Sequence, residues 1–250
     1  MDFSGKVVIV TGGSSGIGAA TAKLFASAGA LLTIVGRNEQ RLLEVAGKCK
    51  EFQGNQPLCI LLDLTLDGSC EEVIRKTVET HGKIDVLVNS AGQILCTSIF
   101  DNTMENFDEL IAIKLRVPYK ITQLCVPHLK KTRGNVVNVI AAPMRVLPGF
   151  LTSSMIRDAM ERFTKAAGLE LATEGIRMNA VRPGITRTNM LADLNIHNIN
   201  ETYDKIAQML PSKVIIEPEE IARMILFVAS DTCPNLNAAN LILDGAASVF

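Results

Sequence analysis

The stretch Lys6-Val7-Val8-Ile9-Val10-Thr11-Gly12-Gly13-Ser14-Ser15-Gly16-Ile17-Gly18, followed by Ala19–Ala28, decides how the rest of the chain is read. Val7–Val10 is a short apolar run of β-branched residues, as a strand buried on both faces requires. Ala19–Ala28 reads as a helix, and the turn between the two carries Gly12, Gly13, Gly16 and Gly18. Glycines let a backbone turn tightly and approach a pyrophosphate closely. That group then sits at the N-terminus of the next helix, where free N–H groups and the helix dipole favour an anion. Glycines alone would say little; the strand before them and the helix after them give the pattern its weight.

Outward from this turn, short apolar runs alternate with amphipathic segments. The runs are Val7–Val10, Leu31–Val35, Leu58–Leu62, Ile84–Val88, Val136–Ile140, Arg177–Val181 and Leu241–Leu243. Between them helices are predicted near 16–29, 39–52, 70–81, 104–130, 154–174 and 218–229. The alternation predicts an α/β fold, a Rossmann-like doubly wound parallel sheet of about seven strands covered by helices on both faces. A length of 250 residues suits one domain spanning 1–250, and a 48% hydrophobic content is ample for its core. The stretch Asn189–Glu217 lacks a clear period and is long for a connector, so it reads as a lid or substrate loop.

Composition narrows the function classes. A formal net charge of −1 leaves no basic field for nucleic acid or an anionic membrane. No apolar run reaches the roughly 18 residues that span a bilayer. The six cysteines, Cys49, Cys59, Cys70, Cys96, Cys125 and Cys233, are scattered without a C-x-x-C pair. Reduced thiols in a cytoplasmic protein are the expectation. His81, His128 and His197 lie far apart and suggest no metal site; His81, beside Gly82, falls where a helix end commonly places a cation.

The spacing Thr11-Gly12-x-x-x-Gly16-Ile17-Gly18 resembles the signature of the short-chain dehydrogenase/reductases, and the resemblance continues over essentially the whole chain. Asp63-Leu64 stands where that family contacts adenine. Asn89-Ser90-Ala91-Gly92 resembles its N-N-A-G, with Ser90 in place of the second Asn. Gly175–Gly184, ending in Arg182-Pro183-Gly184, resembles the strand and turn beside the nicotinamide, and Thr188 stands where the family holds the carboxamide. Asp244-Gly245-Ala246 echoes a D-G-G. The resemblance therefore implies a dinucleotide site drawn from Thr11, Gly12, Ser14, Gly16, Ile17, Gly18, Arg37, Asp63, Leu64, Asn89, Ala91, Gly92, Arg157, Pro183, Gly184 and Thr188.

Which dinucleotide depends on Val35-Gly36-Arg37-Asn38-Glu39. An acidic residue at this strand end suits a ribose diol, and an Arg suits a 2′-phosphate. Arg37 favours NADP(H) over NAD(H). Against that, Arg37 is open to reading as a solvated residue before a helix capped by Asn38, Glu39 as a diol ligand, and Ser15 is not the basic residue many NADP-binding relatives carry.

The family's chemistry uses a helix Asn, a Ser after the fifth strand, and the Tyr and Lys of Y-x-x-x-K. Tyr is its general acid/base, Lys lowers the Tyr pKa and holds the nicotinamide ribose, Ser orients the substrate oxygen and Asn holds a relay water. Glu161–Lys165 and Leu169–Ala172 anchor the alignment, and all four positions differ: Lys114, Ile140, Ser153 and Arg157 stand there. The two tyrosines, Tyr119 and Tyr203, have no Lys four residues on. A serine hydroxyl lacks the phenol's pKa of about 10, Ile140 cannot hydrogen-bond an oxygen, and Arg is no simple replacement for Lys. Two nearby cations, Lys114 and Arg157, would repel unless a phosphate or carboxylate came between them. Pro118 lacks an N–H, so the Lys114 carbonyl loses its helical partner and a kink is expected. The plainest reading of Lys114 and Arg157 is drift after catalysis was lost.

Three readings follow. The first is a nucleotide-binding pseudoenzyme. The second is an NAD(P)-dependent oxidoreductase acting on a small carbonyl or alcohol through displaced acid/base groups such as Lys114 and water. The third is a non-catalytic interaction protein. A homo-oligomer through the helices near 104–130 and 154–174 is expected, as in the family, since Ile111, Leu115, Ile121, Leu124, Met160, Phe163, Ala167 and Leu171 supply more apolar surface than one sheet face covers.

Overall fold

The computed structural model describes residues 1–53, 56–143, 147–194, 196 and 198–249. An interior strand of its sheet, β1 (Val7–Thr11), is buried along its whole length. Successive side chains point to opposite faces of the sheet: Val8 and Val10 enter one core with Phe25, Leu42 and Ile225, while Ile9 enters the other with Val73, Ile121 and Leu129. The same alternation divides Ile34 from Val35 and Val137 from Val136. A strand with a core on each face must be apolar throughout, which is why these runs are continuous and not alternating. Each fully buried aliphatic side chain contributes about 1.5–3 kcal/mol.

The remaining strands are β2 (Leu31–Gly36), β3 (Leu58–Leu61), β4 (Val86–Asn89), β5 (Asn135–Val139), β6 (Arg177–Pro183) and β7 (Asn240–Leu243). They form one parallel sheet in the order β3-β2-β1-β4-β5-β6-β7. The expected α/β class and strand number are both observed. Chain direction across the sheet reverses between β1 and β4, and this switch point opens a crevice at the strands' C-terminal ends.

Helices α1 (Gly16–Ser27), α2 (Glu39–Gln53) and α8 (Pro218–Ala229) cover one face. Helices α3 (Ser69–His81), α5 (Val117–Thr132) and α6 (Leu151–Ala172) cover the other. Their ends follow local chemistry. Asn38 Oδ1 accepts from the Arg41 amide at 2.9 Å to start α2, and α3 stops at Gly82, whose φ of +79° suits glycine. His81 closes the last turn of α3 beside Gly82, the helix-end place expected for it, and burial lowers its pKa.

The helix expected near 104–130 is not one α-helix. It divides into α4 (Glu105–Ile111), a π-turn at Ala112–Arg116 and α5. The Val117 amide reaches back five residues to the Ala112 carbonyl. Pro118, with no N–H to give the Lys114 carbonyl, cannot close an ordinary α-turn there. The expected kink is thus a widened turn centred on Lys114.

The described residues of the span 189–217, which exclude 195 and 197, hold two elements that its sequence does not suggest. A short 3-10 turn (Asn189–Leu194) leads to α7 (Ile199–Met209). Among the described residues, no helix is long and apolar enough to cross a membrane.

Candidate functional site

The phosphate loop is built by close backbone packing. A Cβ on Gly12, at φ +68°, would fall 2.8 Å from Ala91 Cα, and one on Gly18 would fall 2.2 Å from the Gly12 carbonyl oxygen. Only glycine fits either position. Thr11 ties the ends of β1 and β4 together: its Oγ1 accepts from the Ser90 and Ala91 amides at 3.0 and 3.1 Å. Helix α1 starts at Gly16 with no side chain capping it, which leaves its first-turn N–H groups for an anion. Ser14 Oγ lies against Gly36 at the end of β2, and partly buried Ile17 packs on the core behind the loop.

On the β2–β3 side of the crevice, four polar side chains form a chain. Arg37 Nη1 lies 3.6 Å from Asp63 Oδ2, and Arg37 Nη2 donates to Gln93 Oε1 at 3.2 Å. Gln93 Nε2 in turn donates to Glu109 Oε1 on α4 at 2.6 Å. Burial would raise the Asp63 pKa, but hydrogen bonds from Thr65 and the Arg37 charge outweigh it and hold the carboxyl below its ordinary value. Leu64 beside it is buried. Sequence reading had singled out Arg37 and Asp63, but Gln93 and Glu109 carried no local signal.

Asn89 lies deeper. Its amide donates to Asn138 Oδ1 at 2.9 Å and to Thr122 Oγ1 at 3.3 Å, and Asn138 continues to Thr164 Oγ1 at 3.0 Å. These bonds commit Asn89 to a buried polar chain linking β4, β5, α5 and α6. It positions the Ser90-Ala91-Gly92 turn from below.

The four positions of the expected catalytic set lie on the π-turn after α4, just after β5 and in the first two turns of α6. The Lys114 stem runs past the end of β4, with its Cε 3.4 Å from where a Gly92 Cβ would sit. Burial pushes the Lys114 ammonium down to about 8, and no neighbouring charge contributes to that shift. Ile140 is 5% exposed and packs with Leu110, Ile156, Met160 and Ala180. Ser153 lies in the first turn of α6, where its Oγ is buried without a hydrogen-bond partner. Arg157 donates from Nη2 to Ser154 Oγ at 3.2 Å, and its Nε lies 3.5 Å from Asp158 Oδ1 without forming a hydrogen bond. Its guanidinium is drawn along its own helix.

Opposite, Pro183 ends β6 and Gly184 passes so close to Asp244 that a Cβ would lie 2.8 Å from its Cα. Thr188 Cγ2 reaches the phosphate loop, 3.0 Å from a Cβ built on Gly16. The turn that carries Thr188 is held by Tyr203 of α7, only 2% exposed. Its hydroxyl accepts from the Thr188 amide at 3.0 Å and lies 2.9 and 3.1 Å from the Thr188 and Thr186 carbonyls. Arg187 stacks on the Tyr203 ring at 5.1 Å and donates to Glu217 at 3.0 Å. Arg182, just before Pro183, is buried, ion-paired with Glu161 of α6, and 3.3 Å from the Ala141 carbonyl. Neither Tyr203 nor Arg182 was a sequence-level candidate. Among the described residues, no group of three or more His, Cys, Asp or Glu could hold a metal ion.

A switch-point crevice with glycines that admit no Cβ, an uncapped helix start, and polar groups at both ends fits an extended dinucleotide. Comparison with known proteins agrees. A family model described as enoyl-(acyl carrier protein) reductase matches residues 12–247. The chain is 33% identical to an uncharacterised oxidoreductase of Thermotoga maritima, over 99% of each chain. It is 32% identical to a 3-oxoacyl-(acyl-carrier-protein) reductase of the same organism, over 98% of each. A solved short-chain dehydrogenase/reductase of unknown function from Caenorhabditis elegans, with cofactor, superposes with a TM-score of 0.93 at 31% identity, covering 99% of this chain and 96% of that one. The chain belongs to the short-chain dehydrogenase/reductase family, whose members bind NAD(P)(H).

Proposed function

We propose that this protein binds NADP(H) as a pseudoenzyme, without the carbonyl and alcohol chemistry that its relatives' names describe. The observation that carries the proposal is the environment of Ile140 and Ser153. Ile140 is sealed in an apolar cluster, and the Ser153 hydroxyl has no partner base among the described residues. Neither can exchange a proton with a substrate oxygen near neutral pH. Arg37, with Nη1 near Asp63 and Nη2 on Gln93, supports a 2′-phosphate as the distinguishing group. The bound dinucleotide would occupy the crevice between Thr11–Gly18 and Ala91-Gly92, with Arg157, Pro183, Gly184 and Thr188 on the nicotinamide side. It would supply hydride chemistry only if a proton carrier were present.

The protein is read as one cytoplasmic domain. It assembles with a second copy of itself through α5 and α6, where Tyr119 is exposed and tilts against Phe163 at 5.3 Å, and Leu169 of α6 is exposed. The function is tested by titrating the purified protein with NADPH and NADH and screening ketones and alcohols for turnover. Tight NADPH binding without turnover is the expected result.

The Lys114 stem, lying against Gly92 beside the crevice, favours a second reading. A Lys114 amine near pKa 8 exchanges protons readily at neutral pH, as a displaced acid/base group in an oxidoreductase would. Robust NADP(H)-dependent turnover by the unmodified protein, abolished by Lys114→Ala even at saturating dinucleotide, would establish that reading and overturn the first.

A further inference from the structure

We infer that Lys114 is a dinucleotide-binding residue, whose ammonium binds the ribose hydroxyls of the nicotinamide half. The inference rests on the dinucleotide reading above and adds a residue to it. It replaces the simpler account of Lys114 as drift.

The geometry comes from the π-turn. Residues 112–116 make a turn one residue wider than an α-turn, and Lys114 is at its centre. Such turns rotate a side chain out of the register that an unbroken helix would give it. Here the stem is laid along Gly92, with Cε and Cγ 3.4 and 3.8 Å from the position of a Gly92 Cβ. A larger residue at position 92 would take the space the lysine uses.

Gly92 follows the Ser90-Ala91 segment that packs on Gly12 of the phosphate loop. A dinucleotide whose pyrophosphate lies on that loop has one half over β2 and β3, beside Arg37 and Asp63. Its other half lies on the β4 side, and the Lys114 stem runs past Gly92, just beyond the end of β4.

Charge supports the same assignment. Burial lowers the Lys114 pKa and no neighbouring charge offsets it. Among the described residues, the carboxylates of the crevice are engaged elsewhere: Asp63 faces Arg37 and Thr65, Glu109 accepts from Gln93, Glu161 pairs with Arg182 and Lys165, and Asp244 accepts from the Ala246 and Ser248 amides. A desolvated ammonium that has no acid partner among the described residues is costly until oxygen acceptors reach it. Vicinal ribose hydroxyls offer two acceptors to its three N–H donors. Arg157, turned along α6 toward Ser154 and Asp158, leaves that role to Lys114.

The test compares Lys114→Met with the unmodified protein by calorimetric titration with NADPH, NADH and ADP. ADP carries the adenine half and the diphosphate but lacks the second ribose. The Met variant is expected to bind both dinucleotides about ten- to a hundredfold more weakly, the range for loss of a charged hydrogen bond, with ADP affinity unchanged. In the unmodified protein, dinucleotide affinity should also fall as pH rises through about 8, where Lys114 loses its proton, and this dependence should vanish in the variant. Unchanged dinucleotide affinity in the variant would overturn the inference, as would equal losses for ADP. If the unmodified protein binds neither ADP nor dinucleotide, the dinucleotide reading itself fails and takes this inference with it.

Discussion

Replacing Tyr203 by phenylalanine removes one oxygen and keeps the ring. The ring is 2% exposed, so no cavity opens and the effect comes from hydrogen bonds alone. The hydroxyl accepts from the Thr188 amide, and its single proton goes to one carbonyl at a time, at Thr188 or Thr186. Two hydrogen bonds are lost, each with a net value of about 1 kcal/mol, for a total near 2 kcal/mol. In a chain of this length each kcal/mol moves the melting temperature by roughly 2–4 °C, so Tyr203→Phe should melt about 4–8 °C lower. Hydrogen exchange should locate the change: the Thr188 amide, left without its acceptor, should exchange faster, while the β1 and β4 amides stay protected. A melting temperature within about 1 °C of the original, with Thr188 exchange unchanged, would refute the claim that α7 holds this turn through the phenol.

Arg37→Ala should weaken NADPH far more than NADH in a binding titration, because only NADPH loses a charge-assisted contact to the 2′-phosphate; equal losses would remove the assignment. Restoring Asn, Ser, Tyr and Lys together at Lys114, Ile140, Ser153 and Arg157 should produce measurable turnover of at least one ketone or alcohol. General acid/base catalysis is worth about 10²–10⁴ in rate, and the four groups act as a unit, so single restorations should recover little. A single Ser153→Tyr variant as active as the fourfold variant would contradict that coupling. Sedimentation equilibrium at micromolar concentration should show an assembly that Leu169→Glu weakens without lowering the melting temperature of the subunit, since Leu169 is exposed in the single chain; a monomeric unmodified protein would refute the proposed α5–α6 interface.

The fold was legible because its signals are local. Val7–Gly18 is a strand, a turn and a helix start within a dozen residues, and its glycines declare where the backbone must pack closely. Asn38 as a helix cap and Pro118 as a breaker are also decided within one turn of chain. Even α7, missed in a stretch that looked aperiodic, had local signs. Ile199, Tyr203, Ile206 and Leu210 recur at helical spacing, and Asn198 with Glu201 three residues later marks a helix start.

By itself the sequence determined the parallel sheet and the phosphate loop, since each is read from residue type and spacing. Tertiary structure alone decided which side chains meet. Arg37 finds Gln93, and Gln93 finds Glu109, only because β2 and β4 flank β1 and α4 follows β4. Arg182 meets Glu161 only because α6 leads into β6 beside it. Lys114 likewise reads from sequence as an extra cation in a spoiled site. Its stem reaches Gly92 through a π-turn, a shift of one hydrogen bond whose consequence lies 22 residues away in the chain, where only sheet order and helix packing can place it.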